Sequence, residues 1–279
     1  MQIGIMTSII DYEKNFATMA ENGIFSCQLS ADGIHGESES YPDAAAVKKA
    51  AKAYGIRITA LVPAWSGPRD YGYPNMYRTL GLCCPEELYE TRIRDYLIAG
   101  RYAAAIEAPE IMSHFGYMPD DPNDPVHIRV ADGIRRIAKE YESLGLVLGM
   151  ETGEMIPLTL NLLLDEIGQA NIGVNFDPAN YLINGRAYPT DAAETLLPRL
   201  VSMHIKDAVK PLPGSPKGKE VPVGQGRADF PALLSMICGY GHTFDLTIER
   251  EISGPAQLTD ILHAKRYIEE ILRNIAAAR

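Results

Sequence analysis

The sequence predicts an α/β fold, a closed (β/α)8 barrel, from three observations. Strand-like and helix-like segments alternate along the whole chain, which indicates parallel βα units. Eight units fit into 279 residues, an ordinary length for such a barrel. No Gly-x-Gly-x-x-Gly follows the first strand, as a doubly wound dinucleotide-binding sheet would require.

Short apolar or alternating runs give the strands: 2–6, 24–30, 56–62, 110–115, 146–151, 172–177, 201–207 and 244–251. Between them, apolar residues recur at helical spacing over 12–21, 43–54, 86–106, 126–144, 157–168, 190–197 and 229–239, with a last helix near 256–275. No linker interrupts the pattern, so residues 1–279 read as one domain. Two Gly- and Pro-rich connections are long, near 63–85 and 208–228. In a barrel both follow strands, and so lie on the face where active sites are built. The bland alternative is a floppy surface excursion.

Composition limits the partners. The formal charge of −10 and pI near 5.1 repel phosphate backbones, so nucleic acid is not an expected partner. Cys27, Cys83, Cys84 and Cys238 form no Cys-x-x-Cys and read as reduced thiols. The N-terminus reads as a first strand, without the basic region and apolar core of a signal peptide. No apolar run approaches the roughly 18 residues of a membrane span. A cytoplasmic protein without membrane contact is expected.

Side-chain parity locates the chemistry. Strand residues alternate between faces. In 146–151, Leu146, Leu148 and Met150 oppose Val147, Gly149 and Glu151. In 172–177, Ile172, Val174 and Phe176 oppose Gly173, Asn175 and Asp177. Val201, Met203 and Ile205 oppose Ser202, His204 and Lys206; Leu246 and Ile248 oppose Asp245, Thr247, Glu249 and Glu251. The apolar set packs under the helices, so the other set points into the barrel. Buried charges cost several kcal/mol each unless paired or coordinated. Three carboxylates and an imidazole converging there require a cation. Glu151 to Asp177 is 26 residues and Asp177 to His204 is 27, one βα unit each; His204 to Glu249 is 45, one unit plus the long loop. The four therefore read as one level on strands five to eight.

Without a thiolate, this set favours Mn2+, Mg2+ or Co2+, with Zn2+ also compatible. Taken singly, each residue has a bland reading. His204 alone suits a hydrogen-bonded core; Asp177 before Pro178 suits a helix cap; Glu151 and Glu249 can pair with Lys206 or Arg250. Glu251 shares the parity of Glu249 and rivals it as a ligand. His114, ending the fourth strand, faces the same pocket or is structural. Lys206 can neutralise a carboxylate or contact a substrate oxygen, and Asp207 can orient either neighbour. Trp65, the only tryptophan, is an apolar wall of the pocket or a loop anchor.

The segments "LGMETG", "VNFDPAN", "SMHIKD", "VPVGQGRADFPALLSMICGYG" and "DLTIERE" together resemble the xylose isomerase-like TIM-barrel superfamily, nearest its sugar phosphate isomerase/epimerase branch with the D-tagatose 3-epimerase type. The likeness spans nearly the whole chain and is most specific over 146–251. It implies a divalent ion held by Glu151, Asp177, His204 and Glu249. The two glutamates would also serve as acid and base on opposite faces of a substrate carbon, transferring a proton through a metal-bound cis-enediolate. Return of the proton to the same carbon is epimerisation; return to its neighbour is isomerisation.

Some substrate-gripping positions depart from that pattern. Asn180 stands where these epimerases place a histidine, Pro157 where they place a glutamate, and Lys210 where they place an arginine. Glu154 can supply a carboxylate from a shifted position. The expected substrate is a small sugar or sugar phosphate; Lys206, Lys210, Lys217, Lys219 and Arg227 are candidate phosphate ligands. Three alternatives share the barrel: a lyase of the inosose dehydratase type, an endonuclease IV-like phosphodiesterase, and a non-catalytic sugar-binding barrel. Six histidines and the acidic charge weigh against the nuclease. Pairing of outer helices as a homodimer is a further expectation.

Overall fold

The computed structural model describes residues 1–34, 40–70, 72 and 75–278, and of Tyr77 the backbone alone. Tyr71, Tyr73 and Pro74 of the 63–85 connection, and His35, lie outside the described residues.

Eight parallel strands close into a barrel in the order β1-β10-β7-β6-β5-β4-β3-β2. They are β1 (Ile3–Ser8), β2 (Ser26–Ser30), β3 (Arg57–Val62), β4 (Glu110–Ser113), β5 (Val147–Glu151), β6 (Ile172–Phe176), β7 (Leu200–Ile205) and β10 (Leu246–Ile248). The predicted fold is the observed one. Helices α1 (Tyr12–Glu21), α2 (Ala44–Tyr54), α4 (Glu86–Ala105), α5 (Pro125–Ser143), α6 (Pro157–Ile167), α8 (Pro189–Leu196), α9 (Phe230–Tyr240) and α10 (Pro255–Ala277) follow the strands. Their starts are chemically marked. Asp43 accepts from Ala46 N, Asp124 from Val126 N ahead of Pro125, and Asp229 from Ala232 N, each satisfying an otherwise orphaned helix donor. No described helix is long and apolar enough to cross a membrane.

Several elements are additional to the sequence prediction. A short α3 (Met76–Thr79) lies in the 63–85 connection, and α7 (Pro178–Asn184) follows β6 directly. The 208–228 connection contains an antiparallel hairpin of β8 (Asp207–Val209) and β9 (Lys219–Val221). The predicted strand 201–207 is thereby corrected: β7 stops at Ile205, and Asp207 opens the hairpin. The cause is local, because Asp207 pairs with Val221 of β9. The 208–228 connection is organised by strand pairing, unlike the floppy excursion considered above.

By compactness the chain divides into two units. One comprises Met1–Met6, Thr152–Leu158 and Val174–Arg279; the other comprises Thr7–Glu151 and Thr159–Gly173. In the first, Val174, Phe176, Met203, Ile205, Leu246 and Ile248 are buried, as predicted by parity. Each contributes roughly 1.5–3 kcal/mol by leaving water. The opposite parity is buried too, as expected for parallel strands covered on both faces: Asn175, Ser202, His204 and Thr247. Its polar groups find one another, with Asn175 Nδ2 donating to Ser202 Oγ at 2.9 Å. The hairpin packs on α7 through Ala179, Leu182, Ile183 and Ala208.

In the second unit, a buried histidine ties α5 to α6. His127 Nδ1 lies 2.8 Å from the Pro119 carbonyl and Nε2 lies 2.9 Å from Glu166 Oε2. Both partners accept, so both ring nitrogens carry protons. Burial opposes that charge, and the Pro119 carbonyl, Glu166 and Asp121 outweigh it, holding the imidazole pKa above its usual value. The stabilisation is therefore full below the unfolded value, about 6.5, and is lost as pH rises through the folded value. Between pH 6 and pH 8 the wild type should lose more unfolding free energy than His127→Gln. Equal slopes in urea titrations at the two pH values would contradict a cationic His127.

Candidate metal centre

The donors of the site come from strand ends. Glu151 is the last residue of β5, Asp177 immediately follows β6, His204 is the penultimate residue of β7, and Glu249 immediately follows β10. Each of the four offers one atom, and these atoms lie within 4.8 Å of one another. All four residues are buried. The register refines the single level read from the sequence. Phe176 pairs with Met203, which sets Asp177 level with His204. Ile248 pairs with Ile205, which sets Glu249 level with Lys206, one inward position further along.

The two oxygens of Asp177 have different surroundings. Oδ1 accepts from Asn180 N at 2.9 Å and caps α7. Oδ2 is buried and, among the described residues, has no hydrogen-bond donor. Its nearest nitrogen neighbours, His204 Nδ1 and Lys206 Nζ, are both 3.6 Å away, beyond hydrogen-bonding reach. Thr152 locks the backbone there: its hydroxyl donates to the Asp177 carbonyl at 3.0 Å and accepts from Asp177 N at 2.8 Å. Burial pushes the Asp177 carboxyl above its usual range, against the pull of Lys206 and His204. An orphaned, desolvated carboxylate oxygen beside two further carboxylates and an imidazole is what a divalent ion neutralises. The residues present fit such an ion.

The remaining contacts hold the glutamates. Glu151 Oε2 lies 2.9 Å from His114 Nε2. Glu249 Oε2 lies 3.1 Å from His204 Nδ1 and 3.0 Å from Lys206 Nζ. Lys206 also reaches Glu251 Oε1 at 3.2 Å and donates to Asn180 Oδ1 at 3.3 Å.

Other sequence candidates sit as follows. Asp207 accepts four backbone N–H groups: Ala208 and Ala228 on Oδ1, Gly224 and Gly226 on Oδ2, at 2.8–3.0 Å. It closes the end of the hairpin connection. Trp65 is buried, its ring 5.6 Å from the Arg92 guanidinium carbon and 6.2 Å from the Tyr96 ring. Lys210 Nζ lies 3.2 Å over the Tyr188 ring. Glu154 is buried, and with burial itself it raises the Tyr181 hydroxyl pKa. Gly153, between the two acidic residues of "ETGE", has φ 134°, and a Cβ there would come within 2.4 Å of Asn180 Cβ. Only glycine lets this turn meet α7. Sequence reasoning missed Thr152, Glu220 and the anchoring of Arg250; the alternation of charge in "KEV" was the one available hint for Glu220.

A model of the family described as Xylose isomerase-like TIM barrel matches residues 10–275. The chain belongs to that family. Among xylose isomerase-like TIM barrels of known structure, a xylose isomerase domain protein from Planctomyces limnophilus superposes with TM-score 0.86 over 99% of this chain and 98% of that one, at 23% identity. An L-ribulose 3-epimerase superposes with TM-score 0.74 over 100% and 97%, at 13% identity. At such identities the likeness is one of fold. A curated relative, the uncharacterized protein YihM of Escherichia coli (strain K12), is 34% identical over 112 residues. That match covers 39% of this chain and 34% of the relative.

Proposed function

We propose that this protein is a divalent-metal-dependent sugar or sugar-phosphate isomerase or epimerase, built as one barrel domain. The observation that carries the reading is the four-donor cluster, which includes the Asp177 carboxylate with its orphaned oxygen. Glu151, Asp177, His204 and Glu249 would hold the ion, with Mn2+, Mg2+ or Co2+ favoured by the oxygen-rich set. Once bound, the ion supplies polarisation of a substrate carbonyl and stabilisation of the negative charge that develops there.

The chain's own groups supply the proton transfer. Glu151 ends β5 and Glu249 immediately follows β10, two strands separated in the barrel order by β6 and β7. One glutamate takes the proton α to the carbonyl and the other returns it. Each is oriented by a nitrogen partner, His114 for Glu151 and Lys206 for Glu249. Burial of both keeps bulk water from competing for the proton. The fold shared with an L-ribulose 3-epimerase makes a change of configuration at a ketose carbon the first reaction to test.

Purified protein should contain about one equivalent of divalent metal per chain. It should also incorporate solvent deuterium into one member of a ketose and aldose panel, with and without phosphate. Chelation should stop incorporation and added Mn2+ should restore it. Metal-loaded protein that exchanges no proton in any of these sugars would refute the catalytic reading and leave only a binding site.

A further inference from the structure

Glu249 lies one residue beyond a strand of only three residues. Its carboxylate must nonetheless hold a fixed place against His204 and Lys206. Backbone pairing contributes one bond there, Glu249 N to the Ile205 carbonyl at 3.2 Å. The next two residues carry the rest. Arg250 Nη1 lies 2.8 Å from Glu220 Oε1, and Arg250 Nε donates to Asp260 Oδ2 at 2.9 Å. Glu251 N donates to both Glu220 oxygens, at 3.2 and 3.3 Å. The Arg250 carbonyl accepts from Gln257 Nε2 at 2.8 Å. The Arg250 and Glu220 side chains are only 10% and 11% exposed, so solvent screens this pair little.

The place of Glu220 gives the pair its reach. It sits on β9, opposite Ala208 of β8, and β8 begins three residues after His204. One carboxylate therefore joins the exit of the His204 strand to the exit of the Glu249 strand. We propose that Glu220 and Arg250 are positioning residues for Glu249, with the β8–β9 hairpin acting as the brace that sets its distance from His204. Neither is one of the four donors of the cluster. Arginine is required because its planar fork meets two carboxylates at once, along different edges. The inference rests on the metal reading of the cluster.

Mn2+ affinity, followed by the electron paramagnetic resonance signal of free Mn2+, tests it without reference to turnover. Glu220→Gln keeps the shape of the side chain and removes its charge; Arg250→Lys keeps the charge and removes the fork. Each should weaken Mn2+ binding about tenfold or more, the range seen when groups supporting metal ligands are lost. Amide exchange at Glu251 should accelerate in both. Arg136→Gln, which breaks the paired contacts to Glu90 on the outer surface, controls for general loss of stability and should leave Mn2+ affinity unchanged. Affinity within twofold of wild type in folded Glu220→Gln and Arg250→Lys overturns the inference, most clearly if Glu251 exchange has risen. Wild-type protein that binds no Mn2+ overturns the metal reading and this inference with it, and is told apart by the wild-type titration alone.

Discussion

Glu249→Gln and Glu151→Gln should each lower deuterium incorporation into substrate by roughly 10^2–10^4-fold, the usual contribution of a positioned acid or base. The amide keeps the shape of the carboxylate and one carbonyl oxygen for a cation, but it cannot take a proton. The two variants should differ elsewhere. In Glu249→Gln, Lys206 loses the carboxylate at 3.0 Å and keeps Glu251 and Asn180. A buried ammonium with less compensation costs stability, so Glu249→Gln should melt below wild type. In Glu151→Gln the partner is His114, which can hydrogen-bond an amide oxygen as a neutral ring, so its melting temperature should fall less. Metal content measured beside exchange separates a lost ligand from a lost base. Exchange within tenfold of wild type in either metal-loaded variant would remove that glutamate from the proton path.

How far the sequence could be read depended on the range of the interaction involved. Strand parity is a local property, so "IGVNFD" announced Asp177 on the inward face, and the buried Asn175–Ser202 bond agrees with the same parity on two strands. The alternation of eight strand-like and eight helix-like segments along the chain indicated the barrel. Length limited the rest. Helix α7 has seven residues and starts at the proline that follows Asp177, so the cap and ligand readings of Asp177 looked like alternatives, although the cap occupies only Oδ1 and leaves Oδ2 for the proposed ion. The hairpin strands have three residues each, too few for an alternation to register. Asp207 receives N–H groups from residues 17, 19 and 21 positions later, a partnership no periodicity encodes. Lys206 was legible as inward, but its binding of Glu249, Glu251 and Asn180 depends on where three separate segments end.

The same limit hid the residue whose loss should cost the fold most. Arg92 lies on α4 in a helix with ordinary surface charge on either side, and reads as one more solvated arginine. It is wholly buried. Its Nε donates to the Ser66 carbonyl at 3.1 Å, Nη1 to those of Thr79 and Gly81 at 2.6 Å, and Nη2 to that of Pro68 at 2.7 Å. One turn along α4, Asp95 Oδ2 accepts from Ser66 N at 2.7 Å. Two side chains of one helix thus organise the connection that carries Trp65, whose ring lies against the same guanidinium. Truncation leaves four carbonyls without their donor and opens a cavity. An unsatisfied buried acceptor costs about 1–3 kcal/mol. Some of these carbonyls regain water when the connection loosens, so a net loss of about 4 kcal/mol is expected for Arg92→Ala. At about 2–4 °C per kcal/mol for a chain of this size, the melting temperature should fall on the order of 10 °C. Arg92→Lys should recover little, because a single ammonium cannot span carbonyls that a planar fork reaches from three nitrogens. Protease cleavage within the connection should accelerate in both variants. A melting temperature within about 3 °C of wild type for Arg92→Ala would mean that the connection is held by something other than this arginine.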